Sequence, residues 1–508
     1  KGCDENDFTT RIGNIENLEK TRYVITLDSD TRLLRDSARQ FVGTMAHPLN
    51  APRFDVMKDR ITEGYGILQP RITNSLPAGN ASWYEKLCSG DAGIDPYTRA
   101  VSDIYQDIFG EGSFIGKGIY DVDAVYATLN GRLPENSILS HDLLEGCYAR
   151  SGLLSDGQLY EQYPSSYLAD VKRRHRWIRG DWQLLKWLFA FVPDVRPENR
   201  TGKQRNPLSW LSRWKLFDNL RRSLFAPATV FLFFASITVF ANARIWIVFI
   251  LAIFFLPPIL ASLTDLIRKQ PDISLKQHFS TVSHSISRHF LNALLSLVLI
   301  PHEACYSADA ISRTLWRILF SKRHLLEWIP SAMTDRKDSG IGDYFRNMWF
   351  APAYALMLAL TVSTIRPDLF VFACPFIFAW LLSPVIAWKI SQPSITETRE
   401  LSNRQKLFLR KLSRKIWSFF DAYIGAEDNW LPPDNIQQMP RFSSLYEKLP
   451  LDNSVSKAPE IVVAHRTSPT NIGLALLSCL AANDFGYIPS SQLISRLYKT
   501  FGSMNRLE

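Results

Sequence analysis

An aspartate pair stands directly after the first strand-like segment of the sequence. The apolar run 23–27 (YVITL) predicts a strand, and Asp28-Ser29-Asp30 follows it. Two carboxylates spaced by one residue at the end of a strand can face one cleft and share a hard divalent cation, Mg²⁺ or Mn²⁺. Such a cation would neutralise the charge that grows on a departing nucleotide diphosphate. The alternative is an acidic turn in solvent, which is a common setting for aspartate.

A glycine-rich run, FGEGSFIGKGIYD, occupies residues 109–121. A dinucleotide-binding loop requires the spacing GxGxxG between a strand and a helix, whereas the glycines here follow GxGxxxGxG. The mismatch argues against such a loop and favours a flexible backbone that approaches a sugar closely. We therefore include Gly116 and Lys117 among the residues expected to bind a diphosphate or an acceptor.

A third candidate is the acidic side chain in ILSHDLLEGCYAR, residues 138–150. The pattern predicts a helix that starts near His141 and Asp142. A carboxylate at this point can act as the general base for a sugar hydroxyl. The alternative is that Asp142 only caps the helix or interacts favourably with its dipole.

Basic and aromatic residues alternate in DVKRRHRWIRGDWQLLKWLF, residues 170–189. Arginine side chains can clamp a diphosphate, and tryptophan faces can stack on sugars or bases. An interfacial helix anchored by Trp and Arg has the same composition, and the two interpretations are compatible if the site faces a membrane. The residues of this segment that we expect in the site are Arg173, Arg176 and Trp177.

Composition limits the classes of protein to consider. The chain has 508 residues, of which 46% are hydrophobic and 21% charged, so a disordered or collagen-like chain is excluded. The net charge of +9 is modest for this length, and we expect no nucleic-acid partner. The six cysteines are scattered, without a CxxC pair or zinc spacing, as expected for thiols in a reducing compartment.

Long apolar stretches predict four membrane helices in two tight hairpins. Each stretch approaches the roughly 20 apolar residues that a bilayer core requires. In segment 284–320 the apolar run is only ten residues long, which favours interfacial, amphipathic helices over a fifth span. Basic residues concentrate between the hairpins, which places the flanking regions in the cytoplasm. The predicted spans are 223–241, 244–267, 344–365 and 368–390.

These patterns divide the chain into six regions. The first is an α/β domain, and the last two are a cytoplasmic helical linker and the start of a further helical domain. The predicted regions are the α/β domain at 1–220, a transmembrane hairpin at 221–267, cytoplasmic or interfacial helices at 268–343, a second hairpin at 344–390, the linker at 391–459 and the last domain at 460–508.

In this order, the motifs resemble those of the processive, inverting, membrane-embedded GT-A glycosyltransferases. Here Ser140-His141-Asp142 stands where that group has TED, and residues 173–177 (RRHRW) stand where it has QxxRW. The amino-acid sequences of the motifs are more similar to those of one subgroup, the cyclic β-1,2-glucan synthases of glycosyltransferase family 84. The segments that resemble this subgroup are YVITLDSDT, GKGIYDVDA, SHDLLEG, RRHRWIRGDWQ, RTLWR and VAHRTSPTNIG.

The resemblance implies a role for each candidate residue. Asp28 and Asp30 would hold the metal and the donor phosphates, and Asp142 would deprotonate an acceptor 2-hydroxyl. Arg176 and Trp177 would contact the diphosphate and the acceptor. Arginine replaces the family glutamine at Arg173, which leaves the role of that position open.

The resemblance also implies the reaction and its setting. It implies UDP-glucose as the donor, inversion at the anomeric carbon, and a growing β-1,2-glucan attached to the protein and later closed into a ring. The location would be the bacterial inner membrane, with the catalytic domain in the cytoplasm. Enzymes of this kind carry further domains, including a glycoamylase-like domain whose start resembles residues 460–508. We therefore expect an internal piece of a larger protein, with a GT-A domain incomplete at its N-terminus, and its activity in isolation is left open.

Two other functions fit parts of the sequence. One is another processive synthase that makes a linear polymer, although the TED and QxxRW motifs of cellulose and hyaluronan synthases are absent as such. The other is a membrane scaffold or transport protein with a degenerate transferase domain. Binding of UDP separates the scaffold from the enzymes.

Overall fold

A computed structural model of the chain describes residues 18, 20–75, 81–89, 98–99, 102–196, 201–267, 269, 274–327, 340–394, 401–438 and 461–506. The chain divides into two compact units, residues 1–395 and residues 396–508. The first unit contains a mixed sheet and a set of apolar helices. The second is a smaller, mainly helical unit.

Strands and helices alternate in the first half of the first unit, and the described part of its second half is helical. The strands are β1 (Tyr23–Thr26), β2 (Arg32–Leu33), β3 (Arg53–Asp55), β4 (Arg60–Glu63), β5 (Ile67–Asn74), β6 (Thr98–Arg99), β7 (Ser102–Asp103), β8 (Gly118–Asp121), β9 (Ser151–Glu161), β10 (Phe191–Pro193) and β11 (Lys203–Arg205). The helices are α1 (Ser37–Met45), α2 (Trp83–Cys88), α3 (Ile104–Phe109), α4 (Val122–Leu129), α5 (Asp142–Ala149), α6 (Tyr167–Gln183), α7 (Trp210–Ser223), α8 (Phe225–Thr238), α9 (Ala243–Ile267), α10 (Leu275–Trp316), α11 (Ile341–Asn347), α12 (Phe350–Ile365) and α13 (Phe370–Ile390).

A five-stranded sheet with the order β1-β8-β5-β9-β2 forms the centre of the α/β part. Strands β5 and β9 are parallel, and the other neighbouring pairs are antiparallel. The register of β1 on β8 places Thr26 opposite Gly118. The chain just after β1 and the chain just before β8 therefore meet at one edge of the sheet. This edge brings the aspartate pair next to the glycine-rich run.

Helix α1 closes one side of the sheet. Its side chains Phe41 and Met45 are buried against Leu68, Ile119 and Leu159 of the central strands. The first four residues of β5, Ile67 to Pro70, are all buried, as expected for a strand covered on both faces. The sheet edge is thus held by a packed apolar core, and the predicted α/β class is present. Its assignment to the GT-A type stays a prediction.

Apolar helices follow the sheet. Within the described residues, three helices are long and apolar enough to cross a membrane, and two bent pairs of shorter helices raise the number to as many as five if each pair is one span. The three are Ala243–Ile267, Leu275–Ser321 and Pro367–Ile390, and the pairs are Trp210–Ser223 with Phe225–Thr238 and Ile341–Asn347 with Phe350–Ile365. Two predicted spans, 244–267 and 368–390, coincide with single long helices. The other two fall on the bent pairs, so the number of four membrane helices stays a prediction.

Helix α10 differs from the expectation for segment 284–320. It runs for 42 residues with Pro301 inside it, and with the π turn Arg317–Ser321 it is apolar enough to be a candidate span. The sequence favoured a surface helix because Pro301, His302 and Glu303 interrupt the apolar run. In the structure Pro301 and His302 are buried, as is Ala304 one turn further on. The interruption is therefore packed inside the protein, where His302 forms a hydrogen bond with the Tyr167 hydroxyl at 2.9 Å.

In its described residues, the second unit contains one long helix, a two-stranded sheet and two further helices. These elements are α14 (Asn403–Tyr423), β12 (Ile436–Gln438), β13 (Ile461–Val463), α15 (Pro469–Asp484) and α16 (Ser490–Met504). Trp417 of α14 packs against Cys479, Ala482 and Ile488. The predicted boundary at 459–460 between a linker and a further domain lies outside the described residues.

Candidate active site

One cavity of about 1110 Å³ lies at the edge of the sheet that carries the aspartate pair. All of the sequence-predicted site residues line it, although they come from four separate segments of the chain. These residues are Asp28, Asp30, Gly116, Lys117, Asp142, Arg173, Arg176 and Trp177. The fold therefore brings the predicted residues together, and the role of each one stays a prediction.

A lysine inside the cavity joins two acidic segments. The Lys117 Nζ atom lies 3.0 Å from Asp28 Oδ2 and 2.5 Å from Glu161 Oε1. Burial by itself would lower the pKa of Lys117, but Glu161 and Asp28 outweigh burial, and the pKa is raised. Lys117 therefore stays charged and fixes the position of Asp28. Glu161 is held in turn by the hydroxyl of Thr31, which donates a hydrogen bond of 3.2 Å.

The aspartate pair suits the cation predicted for it. Asp28 and Asp30 both line the cavity and are exposed, so they offer only hard carboxylate oxygens, with room for water. This is the donor set that Mg²⁺ and Mn²⁺ prefer.

A second group of possible ligands lies beside the pair. Ligand atoms of His141, Asp142 and Glu145 lie within 4.8 Å of one another. The His141 Nδ1 atom is 2.8 Å from Glu145 Oε1, and this pairing does not by itself distinguish the group from Asp28, which pairs with Lys117 at 3.0 Å. An imidazole in the set, however, is less typical of Mg²⁺. The donor chemistry therefore favours Asp28 and Asp30 as the residues that would hold the metal.

Asp142 is the first residue of helix α5, as the sequence predicts. The N-cap residue is His141, so Asp142 is not the cap, and only the interaction with the helix dipole remains of the alternative interpretation. Its carboxylate accepts a hydrogen bond from the Ser140 hydroxyl at 3.4 Å. It also lies in the first turn, where the helix dipole favours negative charge.

The surroundings of Asp142 hold its pKa above the ordinary aspartate value. Burial is the largest cause, and the charges of Glu145 and Asp28 add to it. His141 and Lys117 act in the opposite direction. A raised pKa makes a carboxylate a stronger base, which is the property expected of a residue that removes a proton from a hydroxyl.

Two glycines allow other segments to approach the turn that carries this carboxylate. Gly116 has a positive φ of 93°, and a Cβ atom there would lie 3.0 Å from Asp142 Oδ1. A Cβ atom on Gly180 of α6 would lie 2.6 Å from the Cβ atom of Ser140. The glycine-rich run and helix α6 therefore both pack closely around the turn that carries Asp142.

A buried aspartate orients the arginine-rich helix. Asp170 of α6 is fully buried, and it accepts hydrogen bonds from Arg173 at 2.8 Å and from the Tyr84 hydroxyl at 2.7 Å. Arg174 pairs with its second oxygen at 2.8 Å. Burial would raise the pKa of Asp170, but Arg174, Arg173 and Tyr84 outweigh burial and hold the pKa below the ordinary value. Asp170 is therefore the charged anchor of this segment.

Arg173 stacks between two aromatic rings. Its guanidinium lies 4.8 Å from the centre of the Trp177 ring and 5.2 Å from that of Tyr163. Together with its bond to Asp170, this arrangement fixes the plane of the Trp177 ring. Arg173 thus supports the tryptophan directly.

Arg176 lies within electrostatic reach of three acidic residues of the site. Burial lowers its pKa, while Asp28, Asp30 and Asp142 favour its charged form. Because an arginine side chain stays protonated in proteins, Arg176 brings a permanent positive charge to the aspartate pair. This is the position that a diphosphate-binding group requires.

Several residues of the cavity were missed by the sequence analysis. Glu161 and Asp181 line the cavity, and Asp170 holds two of its arginines. Glu161 lies in a segment without a recognisable motif, whereas Asp170 and Asp181 lie in the basic and aromatic segment 170–189 but were not chosen as site residues. Glu161 pairs with Lys117, which lies 44 positions earlier in the chain. The one local signal was at Asp170, which stands three and four residues before Arg173 and Arg174, the spacing of helical ion pairs.

The structure thus defines a mixed α/β domain with a charged cavity, followed by helices apolar enough to cross a membrane. Sequence comparison gives a more particular result: the chain is 40% identical over 497 residues to the cyclic β-(1,2)-glucan synthase NdvB of Rhizobium meliloti (strain 1021). The alignment covers 96% of this chain and 16% of that protein. The predicted resemblance to the cyclic β-1,2-glucan synthases is confirmed. No protein-family model matches the chain.

Proposed function

We propose that this chain is the glycosyltransferase part of a cyclic β-1,2-glucan synthase. It would transfer glucose from UDP-glucose to a growing β-1,2-glucan with inversion at the anomeric carbon. The observation that carries the proposal is the single cavity lined by all of the predicted site residues. The similarity to the Rhizobium protein supports the same assignment.

The donor diphosphate would bind on the side of the cavity formed by the sheet edge. Asp28 and Asp30 would hold Mg²⁺ or Mn²⁺, which supplies charge neutralisation for the diphosphate when bound. Arg176 brings a fixed positive charge to the same edge, and Lys117 holds Asp28 in place. These groups would stabilise the UDP that leaves.

Asp142 would act as the general base. Its carboxylate would take the proton of the acceptor 2-hydroxyl while that oxygen attacks the anomeric carbon of the donor. The bond between that carbon and the diphosphate breaks on the opposite face, and its electron pair leaves with UDP. One displacement of this kind inverts the configuration at the anomeric carbon. The raised pKa of Asp142 suits the step.

The membrane setting follows from the same proposal. The apolar helices would lie in the bacterial inner membrane, with the cavity on its cytoplasmic side, because basic residues concentrate between the predicted hairpins. The partners would be UDP-glucose, a glucan attached to the protein, the lipid bilayer and the other domains of the longer polypeptide.

Transfer of label from radioactive UDP-glucose tests the proposal. Membranes containing this chain, alone and within a longer polypeptide, would be supplied with the donor and with Mg²⁺ or Mn²⁺. We expect labelled β-1,2-glucan in at least the longer form. If a folded, inserted protein neither transfers glucose nor binds UDP, the scaffold alternative replaces this proposal.

A further inference from the structure

Asp181 lies in the same cavity as Asp142 but was not among the predicted site residues. It follows Trp177 by four positions on helix α6, so both side chains lie on one face of the helix. Both line the cavity. Burial raises the pKa of Asp181 to about 6, which indicates a carboxyl group largely withdrawn from solvent.

Asn219 of helix α7 completes this part of the cavity wall. Its Nδ2 atom donates a hydrogen bond of 3.1 Å to Asp181 Oδ1, and its Oδ1 atom accepts one from Arg222. Within the described part of the chain, no side chain donates a hydrogen bond to the second carboxyl oxygen of Asp181. That oxygen is therefore available to a ligand in the cavity.

Helices α6 and α7, which carry Asp181 and Asn219, are also joined by a hydrogen bond from the residue after Asp181. The indole nitrogen of Trp182 donates a hydrogen bond of 2.9 Å to the hydroxyl of Ser223. The distance between Asp181 and Asn219 is thus fixed by contacts that do not involve the ligand, as a preorganised binding site requires.

Charge divides the cavity into two sides. Arg176 and the aspartate pair interact at the sheet edge, where a metal and a diphosphate would bind. On the side of α7, the charge of Asp142 adds to the effect of burial on the pKa of Asp181, while Asn219 and Arg222 act in the opposite direction. The arginine on this side, Arg222, is already paired with Asp218 at 3.2 Å. A phosphate would be repelled by the two carboxyl groups, whereas a neutral sugar would not.

We propose that Asp181 and Asn219 form the subsite that holds the last glucosyl unit of the acceptor against the ring of Trp177. The carboxyl and amide groups would bind hydroxyl groups of the sugar, and the indole would cover its apolar face. The acceptor would then lie beside Asp142, which borders both sides of the cavity. This inference rests on the proposed function and names its acceptor subsite.

Binding of a β-1,2-linked glucotriose to the full chain tests the subsite without requiring transfer. The dissociation constant would be measured by saturation-transfer NMR for the wild type and for Asp181→Ala and Asn219→Ala. Loss of a hydrogen bond to a charged group predicts affinity weaker by about tenfold in Asp181→Ala. Asp156→Ala, which changes an exposed aspartate on β9, is the matched control. UDP affinity with Mg²⁺ should be unchanged in all variants, which also shows that they are folded.

The outcomes separate this inference from the proposed function. Unchanged glucotriose affinity in both cavity variants, or a wild type that binds UDP but no glucotriose, overturns the subsite and leaves the transferase proposal standing. A wild type that neither binds UDP nor transfers glucose overturns the transferase proposal itself.

Discussion

Gly116 packs directly against the carboxyl group of Asp142. A Cβ atom at position 116 would lie 3.0 Å from both Cγ and Oδ1 of Asp142. The backbone of Gly116 also has a φ of 93°, which other residues rarely adopt. The glycine is therefore required twice, once by the turn and once by the neighbouring carboxylate. Its position makes the glycine-rich run a wall of the candidate active site.

Replacement of Gly116 separates these two requirements. In Gly116→Ala we expect a loss of stability of about 1–2 kcal/mol from the backbone and a fall in glucosyl transfer from displacement of Asp142. Gly202→Ala is the matched control, because Gly202 has a φ of 64° but open space around its Cβ position. Thermal unfolding and transfer would be measured for both. Equal transfer by the two variants would remove the contact with Asp142 from the explanation.

Asp142→Asn tests the general base directly. Because the amide cannot accept the proton, we expect transfer to fall by about 10²–10⁴-fold, with UDP binding largely retained. Asp156→Asn, an exposed change on β9, should leave both quantities as in the wild type. Transfer by Asp142→Asn at the wild-type rate would show that another group takes the proton.

Asp30→Ala tests the predicted metal site. Removal of one hard ligand should weaken UDP binding in the presence of Mg²⁺ or Mn²⁺ and have little effect when the metal is chelated. The affinity for UDP, measured by titration under both conditions, checks this. An affinity that matches the wild type in the presence of metal would exclude Asp30 from the site.

The local patterns of the sequence were sufficient to find eight residues of the cavity, but not Glu161 or Asp181. The strand before Asp28 and the helix start at Asp142 both follow from apolar runs and polar breaks of short range. The apolar helices could be located for the same reason. The number of membrane spans could not be predicted. Two of the predicted spans are bent pairs of helices, and α10 continues through Pro301.

Contacts between distant segments could not be predicted in this way. The link between Lys117 and Glu161 depends on the order of β8, β5 and β9 in the sheet, which no local pattern specifies. The bond between Asp181 and Asn219 depends in the same way on the packing of α6 against α7. Both contacts place a charged side chain in the cavity through packing between distant segments, so the structure was needed to find them.

The pH dependence of transfer should respond to His141. Charged His141 lowers the pKa of Asp142, and its hydrogen bond to Glu145 raises the pKa of His141 itself. In His141→Gln the favourable charge is lost, so the pKa of Asp142 should rise. Since the base must be ionised, the acidic limb of the rate profile should move to higher pH. A profile of transfer rate against pH with an unmoved acidic limb would contradict the role of Asp142 as the titrating base.

Removal of the anchor of helix α6 should destabilise the protein and disorder the site together. Asp170→Ala leaves the guanidinium groups of Arg173 and Arg174 without their buried partner, which typically costs about 3–5 kcal/mol. We expect a clear fall in the thermal unfolding midpoint and, because Arg173 then no longer fixes Trp177, weaker acceptor binding at temperatures where the protein is folded. Asp156→Ala supplies the control for loss of an exposed carboxylate. An unchanged midpoint would mean that the ion pairs of Asp170 contribute nothing to folding, and the orientation of the arginine-rich helix would need another explanation.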